Sequence, residues 1–341
     1  MAEEGLAVVV ERSRTEAVID ELRAAGIYDD ARSVRPDGED CVSVPVTDVP
    51  AGVDYREVVR QVGDARHRDL DDHLRELGWT DAERDAAPSS WAVLGSVVLV
   101  EVGDAPRPGE LGEALLALHG GANTVLARGP VTGDHREPDV SVIAGAGDTE
   151  VVHTEHGTKY AMDLAEVMFS PGNKAERARM GETVEAGERV VDMFAGIGYF
   201  TLPMARAGAD VTAIEHNPAA FRYLLENVRL NDVTERVRPY RADCRAVLER
   251  TDAATDVTAD RVVMGYYDAD EYLDAALGAL SPGGVVHVHE ATPEPLAFDR
   301  PVERLRAAAA DRDRTVMVLD TRRVKGYSEG VAHVVVDARV E

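Results

Sequence analysis

Lysine is nearly absent from this chain. Of 37 basic residues only Lys159, Lys174 and Lys325 are lysines, against 63 aspartates and glutamates, and the formal charge is −26. The acidic residues are dispersed over every segment instead of gathered in one tail, a pattern that implies adaptation of a whole proteome to high salt. So acidic a chain would ordinarily be a poor partner for nucleic acid, because phosphate binding relies on Lys and Arg. In molar salt, however, the Debye length shrinks to about 3 Å, which damps self-repulsion and attraction to phosphate alike. Net charge therefore decides neither for nor against a nucleic-acid partner. Cysteine is scarcer still. Cys41 and Cys244 stand far apart and neither belongs to a Cys-x-x-Cys pair, which argues against a disulfide framework or a structural zinc site. No apolar run reaches the roughly 18 residues needed to span a bilayer, and the start, Met1-Ala2-Glu3-Glu4, lacks the basic flank and apolar stretch of a secretory leader. These absences point to a soluble protein of a reducing, cytoplasmic compartment.

A chain of 341 residues is long enough for two or three cores. Residues 1–50 read as a small α/β unit, with an apolar strand at Leu6-Ala7-Val8-Val9-Val10, a helix over 15–25 and a strand over 41–46. Residues 51–85 are dense in charge and poor in large apolar groups, and read as a helical connector. A second α/β segment, 86–168, opens on the apolar block from Trp91 to Val100 and continues with a helix near 111–119 and several short strands. From Glu188 the rhythm becomes strand, helix, strand, helix, as in βαβ units, so 169–341 is expected to hold a doubly wound, Rossmann-type parallel sheet. Its strands are predicted at 189–194, 210–214, 237–240, 261–264 and 285–289. A closing pair, 315–323 and 331–339, is joined by too few residues for a crossover helix and is therefore antiparallel.

The chemistry concentrates in Val190-Val191-Asp192-Met193-Phe194-Ala195-Gly196-Ile197-Gly198-Tyr199-Phe200. A buried strand, a tight glycine turn and the start of a helix let a nucleotide-like ligand approach the backbone closely. A bare Gly-x-Gly is usually just a turn. Its neighbours raise its value: Glu215 ends the next strand, where a carboxylate can accept hydrogen bonds from both ribose hydroxyls, and Asp243 follows the third strand, placed to receive an adenine amino group. A dinucleotide fingerprint would need a third glycine where Thr201 stands, and no Walker-type Gly-Lys-Ser/Thr is present to hold phosphates. S-adenosylmethionine (AdoMet), which carries no phosphate, suits the pattern better than NAD or ATP.

Other segments complete a resemblance: Phe169-Ser170-Pro171-Gly172-Asn173-Lys174-Ala175-Glu176-Arg177, Glu215-His216-Asn217-Pro218, Asp260-Arg261-Val262-Val263-Met264-Gly265-Tyr266 and Val324-Lys325-Gly326-Tyr327. From about Trp91 onward the chain resembles the archaeal and eukaryotic tRNA position-37 enzymes, which comprise the guanine-N1 methyltransferases and the wybutosine-synthesising aminocarboxypropyltransferases. The methylating branch carries an arginine after Phe-Ser-Pro and an Asn-x-Pro after the fourth strand. Here those places hold Gly172 and Met264-Gly265-Tyr266-Tyr267, which is similar to the aminocarboxypropyl branch, as is His287-Val288-His289-Glu290. One departure from that branch is Asp243-Cys244 in place of Asp-Asn, which leaves open whether position 244 meets adenine by its side chain or its backbone.

The resemblance implies a class I AdoMet-dependent transferase that moves the 3-amino-3-carboxypropyl group to carbon 7 of 4-demethylwyosine at position 37 of tRNA(Phe). It implies cofactor contacts from Ser170, Arg177, Glu215, Asp243 and Cys244, with Gly196 and Gly198 offering backbone. Arg177 suits the cofactor's carboxylate, since a guanidinium binds one bidentately, although a lone arginine there reads equally as a solvated helix-face residue. Asp192 is either a further cofactor contact or a capping acceptor for the glycine turn. Tyr266 and Tyr267 lie beyond the carboxyl end of a strand, where an aromatic ring stacks on a flipped base or packs into the core. His287 and His289 share a strand face but lack an evident third metal ligand, so no metal is assigned. No catalytic base is named, because positioning dominates when the ring carbon is already electron-rich. Two rivals stay open: guanine-37 N1 methylation on the same scaffold, and a non-catalytic AdoMet- or RNA-binding module.

Overall fold

The computed structural model describes residues 5–61, 66–133, 135–249 and 257–341. The acidic start and residues 62–65 of the expected connector lie outside that set. The described residues fall into two compact units, Met1–Ala86 with Glu113–His119, and Ala87–Gly112 with Gly120–Glu341.

In the first unit, β1 (Gly5–Glu11) pairs antiparallel with β3 (Cys41–Val46) and β4 (Glu57–Gln61), and β2 (Arg35–Asp37) borders β3. Helix α1 (Thr15–Ala24) lays Val18 and Leu22 on Val8, Val10, Val42 and Val44. The connector is a helical reading corrected in part. Residues 57–61 form an edge strand, because the alternation around Val58 and Val59 suffices to pair with β1 although the segment carries little apolar mass. Two short helices follow within it, α2 (Leu70–Glu76) and α3 (Asp81–Asp85), the latter opened by a capping box between Thr80 and Glu83.

In the second unit the block at Trp91 folds as a hairpin, β5 (Trp91–Leu94) and β6 (Val97–Val100), turned at Gly95 with φ 57°. After α4 (Pro108–Leu118), strands β7 (Thr124–Thr132) and β8 (Glu137–Gly145) complete a four-stranded sheet, and β9 (Glu150–Glu155) pairs with β10 (Thr158–Asp163). Helix α5 (Lys174–Thr183) then leads into a seven-stranded sheet of order β13-β12-β11-β14-β15-β17-β16. Its members are β11 (Arg189–Asp192), β12 (Asp210–Glu215), β13 (Val237–Arg241), β14 (Ala259–Met264), β15 (Leu280–Pro293), β16 (Val316–Ser328) and β17 (Val331–Val340). The first five run parallel, and β17 runs antiparallel to both β15 and β16, as the two-residue link Glu329-Gly330 requires. Helices α6 (Thr201–Arg206), α7 (Pro218–Leu230), α8 (Cys244–Leu248), α9 (Leu273–Ala279) and α10 (Asp299–Ala310) connect the strands. One core takes Leu94, Leu126, Tyr160, Phe169, Val190 and Leu202 together, so it runs unbroken across the expected boundary at 168/169; a second takes Val191, Ile214, Val262, Leu277 and Val336. Strand order reverses between β11 and its neighbours β12 and β14, which opens a crevice at their carboxyl ends.

Candidate cofactor and base site

The crevice holds a cavity of about 350 Å³, within the size range of small-molecule sites. Its floor is the turn after β11. Gly196 (φ 57°) lines it, and a Cβ there would stand 2.3 Å from the Tyr199 ring, so only glycine lets the chain turn this tightly. The Gly196 N–H donates to Glu215 Oε2 at 2.7 Å, and the Asn217 N–H donates to Oε1 at 2.7 Å. The carboxylate at the end of β12 is thereby aimed along the cavity wall before any ligand arrives. Asn217 caps α7 by accepting from Ala219 and Ala220, while its own amide donates to the His135 carbonyl. The hairpin between β7 and β8 is thus pinned against the crevice, and His135 and Arg136 join its lining.

Asp192 and Gly198 are not among the lining residues. Asp192 is fully buried, accepting from the Thr201 hydroxyl at 2.7 Å and the Phe194 N–H at 3.4 Å; burial pushes its carboxyl up to about 6. It braces the turn against α6 from behind, which is also why threonine occupies the place of a third glycine. Gly198 is likewise structural, for a Cβ there would meet Leu202 Cγ at 2.8 Å.

On the far wall, Asp243 caps α8 and binds Arg245 through both carboxylate oxygens, at 3.1 and 2.7 Å; the hydrogen bonds from Arg245 draw its carboxyl below the ordinary range. Cys244 is buried and its thiol is pushed up to about 12 by desolvation, so it faces the cavity uncharged. Arg245 lies over the Tyr272 ring at 4.6 Å, and Tyr272 meets Phe194 and Tyr266 in an aromatic corner. Tyr267 takes a second corner, with Tyr327 at 4.8 Å, His333 at 4.7 Å and the Arg136 guanidinium at 5.2 Å.

Arg177 lines the cavity but is 3% exposed and already engaged. Its Nε and Nη2 donate to Glu155 at 2.7 and 2.9 Å, and Nη1 donates to the Ser170 carbonyl at 2.9 Å. Ser170 Oγ accepts from Lys325 Nζ at 2.5 Å. The two strand histidines separate: His287 sits between Asp337 and Arg261, each at 2.6 Å, and His289 faces His333 at 3.0 Å. Among the described residues no cluster has the makings of a metal site.

Ser170, Arg177, Gly196, Glu215, Asp243, Cys244, Tyr266 and Tyr267 therefore converge on one cavity. Sequence reasoning missed His135, Arg136, Asn173, Lys325 and His333 as neighbours of it. Asn173 and Lys325 carried a signal, since both stand in segments that carry the family resemblance and Lys325 is one of three lysines in the chain.

A parallel sheet with an antiparallel final hairpin, a glycine turn after its first strand and a carboxylate at the end of the second is the frame of a class I AdoMet-dependent transferase. The comparisons agree. A model described as the TRM5/TYW2 methyltransferase domain matches residues 151–318, and one described as the TYW2 N-terminal domain matches 70–149. The tRNA(Phe) (4-demethylwyosine(37)-C(7)) aminocarboxypropyltransferase of Pyrococcus horikoshii is 38% identical over 257 residues, covering 74% of this chain and 90% of the relative. The crystal structure of M. jannaschii TYW2 in complex with AdoMet is similar with a TM-score of 0.58 at 35% identity, over 74% of this chain and 99% of that one. Trm5b of Pyrococcus abyssi is similar over 99% of both chains, with a TM-score of 0.73 at 30% identity. The chain belongs to the TRM5/TYW2 family of tRNA-modifying enzymes, on its aminocarboxypropyltransferase branch, and is an AdoMet-dependent transferase.

Proposed function

We propose that this protein transfers the 3-amino-3-carboxypropyl group of AdoMet to carbon 7 of 4-demethylwyosine at position 37 of tRNA(Phe). The observation that carries the reading is the wall after β14. Gly265, Tyr266 and Tyr267 line the cavity where the methylating branch has Asn-x-Pro, and Gly172 stands where that branch has arginine. Those are the groups with which the methylating branch orients and deprotonates guanine. Without them, N1 methylation lacks a general-base contribution of typically 10²–10⁴-fold.

The residues present fit AdoMet. The Gly196 turn brings backbone to the cavity lining, the Glu215 carboxylate is pre-aimed for ribose hydroxyls, and Asp243 with Cys244 borders the place for adenine. When bound, AdoMet would supply the electrophilic carbon of its arm to C7, with 5′-methylthioadenosine as the leaving group that keeps the carbon–sulfur electron pair and the C7 proton released to solvent. The chain's part is to orient. Tyr266 and Tyr267 flank the base, and the aromatic corners around them hold their rings in place. We place the protein in the cytoplasm with its tRNA; no described helix is long and apolar enough to cross a membrane.

Incubation with precursor tRNA(Phe) and AdoMet should yield 5′-methylthioadenosine in proportion to modified base, read by chromatography and nucleoside mass spectrometry. Stoichiometric S-adenosylhomocysteine with a methylated guanosine would move the chain to the methylating branch. AdoMet binding without turnover on any tRNA would make it a binding module.

A further inference from the structure

Three groups at one corner of the cavity, Asn173 and His333 in its lining and Lys325 reaching it through the Ser170 hydroxyl, have chemistry that the protein itself does not satisfy. Lys325 is partly buried, and its ammonium reaches only the Ser170 hydroxyl, at 2.5 Å, with no carboxylate paired to it among the described residues. Its charged surroundings are Arg128, Arg177 and Arg136, and burial together with these like charges draws its pKa down to about 8. Arg128 has Glu101 and Arg177 has Glu155, so their charges are compensated, while Arg136, in the cavity lining, lies over the Tyr267 ring. The charge of Lys325 is not compensated, and a desolvated, unpaired ammonium is costly to keep.

The other two groups are acceptors. Asn173 Oδ1 and His333 Nδ1 are buried without a hydrogen-bond partner, and both residues line the cavity. His333 is fully buried, with Nε2 facing His289 Nδ1 at 3.0 Å. Desolvation holds both rings neutral, His333 at about 2 with His289 adding to the effect, and His289 at about 3 with Arg322 and His287 adding to it. In the tautomer where His333 Nε2–H donates to His289, Nδ1 offers its lone pair to the cavity.

An uncompensated cation and a hydroxyl beside two unused acceptors make the complement of an α-amino acid zwitterion. We propose that Lys325, Ser170, Asn173 and His333 form the subsite for the amino-acid end of the AdoMet arm, the carboxylate on Lys325 and Ser170, the ammonium on Asn173 and His333. Lys325 is a positioning residue, which anchors the arm on the side of the Tyr267 corner. Arg177 acts one step back, holding the Ser170 backbone through its carbonyl while neutralised by Glu155. Gly172 belongs to the same device. A Cβ there would stand 3.3 Å from Lys325 Cδ, so an arginine at that position would crowd the lysine stem and repel its charge.

The inference rests on the reading of AdoMet as aminocarboxypropyl donor, and it separates from that reading by experiment. Calorimetry on the full chain compares AdoMet with 5′-methylthioadenosine, which keeps the nucleoside and lacks the arm. Lys325→Met should weaken AdoMet by about tenfold or more and leave methylthioadenosine within about twofold, since the loss is confined to the arm. His333→Phe, which preserves ring volume, should shift the same ratio in the same direction by about threefold or more. Equal losses for both ligands, or an unchanged ratio in both variants, would overturn the subsite while wild-type formation of methylthioadenosine on tRNA upheld the function. Absence of methylthioadenosine from the wild-type reaction would instead overturn the function, whatever the ratio.

Discussion

Glu215 shows how one side chain prepares the site and holds it together. Its two oxygens each accept a backbone N–H, from Gly196 and Asn217, and lone pairs remain for a ligand. Hydrogen bonds to a charged acceptor are worth about 1.5–3 kcal/mol each. We expect Glu215→Ala to weaken AdoMet by about 2–3 kcal/mol in calorimetry. An unchanged dissociation constant would remove Glu215 from the cofactor site. Asp192 illustrates the opposite assignment: also a carboxylic side chain and just before the same turn, it is spent wholly on Thr201 and Phe194.

At the scale of elements, α5 is tied to β9 by Arg177 and Glu155. Burial alone would raise the Glu155 carboxyl, but hydrogen bonds from His153 and Arg177 hold it down, at about 2 against an ordinary 4.5. A carboxyl depressed in the folded state stabilises fully above its unfolded pKa and loses that contribution as pH falls through the folded value. The window here runs from about 4.5 down to about 2, and the contribution at neutral pH is roughly 3 kcal/mol. Unfolding free energies measured by denaturant titration should therefore fall towards pH 3 more steeply for wild type than for Glu155→Gln. Parallel pH profiles for the two proteins would show that the pair does not couple α5 to β9.

At the scale of the whole molecule, every residue lining the cavity belongs to the second compact unit. A chain beginning at Ala87 is expected to fold and to bind AdoMet with the full chain's affinity, checked by circular dichroism and calorimetry. A folded product that fails to bind would assign residues before Ala87 to the cofactor site. The charge of −26 also acts at this scale. It opposes phosphate contacts except where salt screens it, without bearing on which base is chosen.

Local sequence determined the strand rhythm from Glu188 onward, the glycine turn, the carboxylates after β12 and β13 and the antiparallel final hairpin. Each depends on neighbours a few residues away: alternation, a positive φ, a loop too short to cross over. The motif order likewise carried the family and the transferred group. What the tertiary structure alone decided is how distant side chains spend their hydrogen bonds. Asp192 and Arg177 look as available in sequence as Glu215 and Lys325. The fold commits the first two to Thr201 and Glu155 and leaves the ammonium of Lys325 without a carboxylate among the described residues. His333 became a cavity residue only because β17 runs back beside β15 and sets it against His289, 44 positions away in the chain. Such partnerships are long-range pairings of buried polar atoms, fixed by packing and desolvation, and residue spacing carries no record of them.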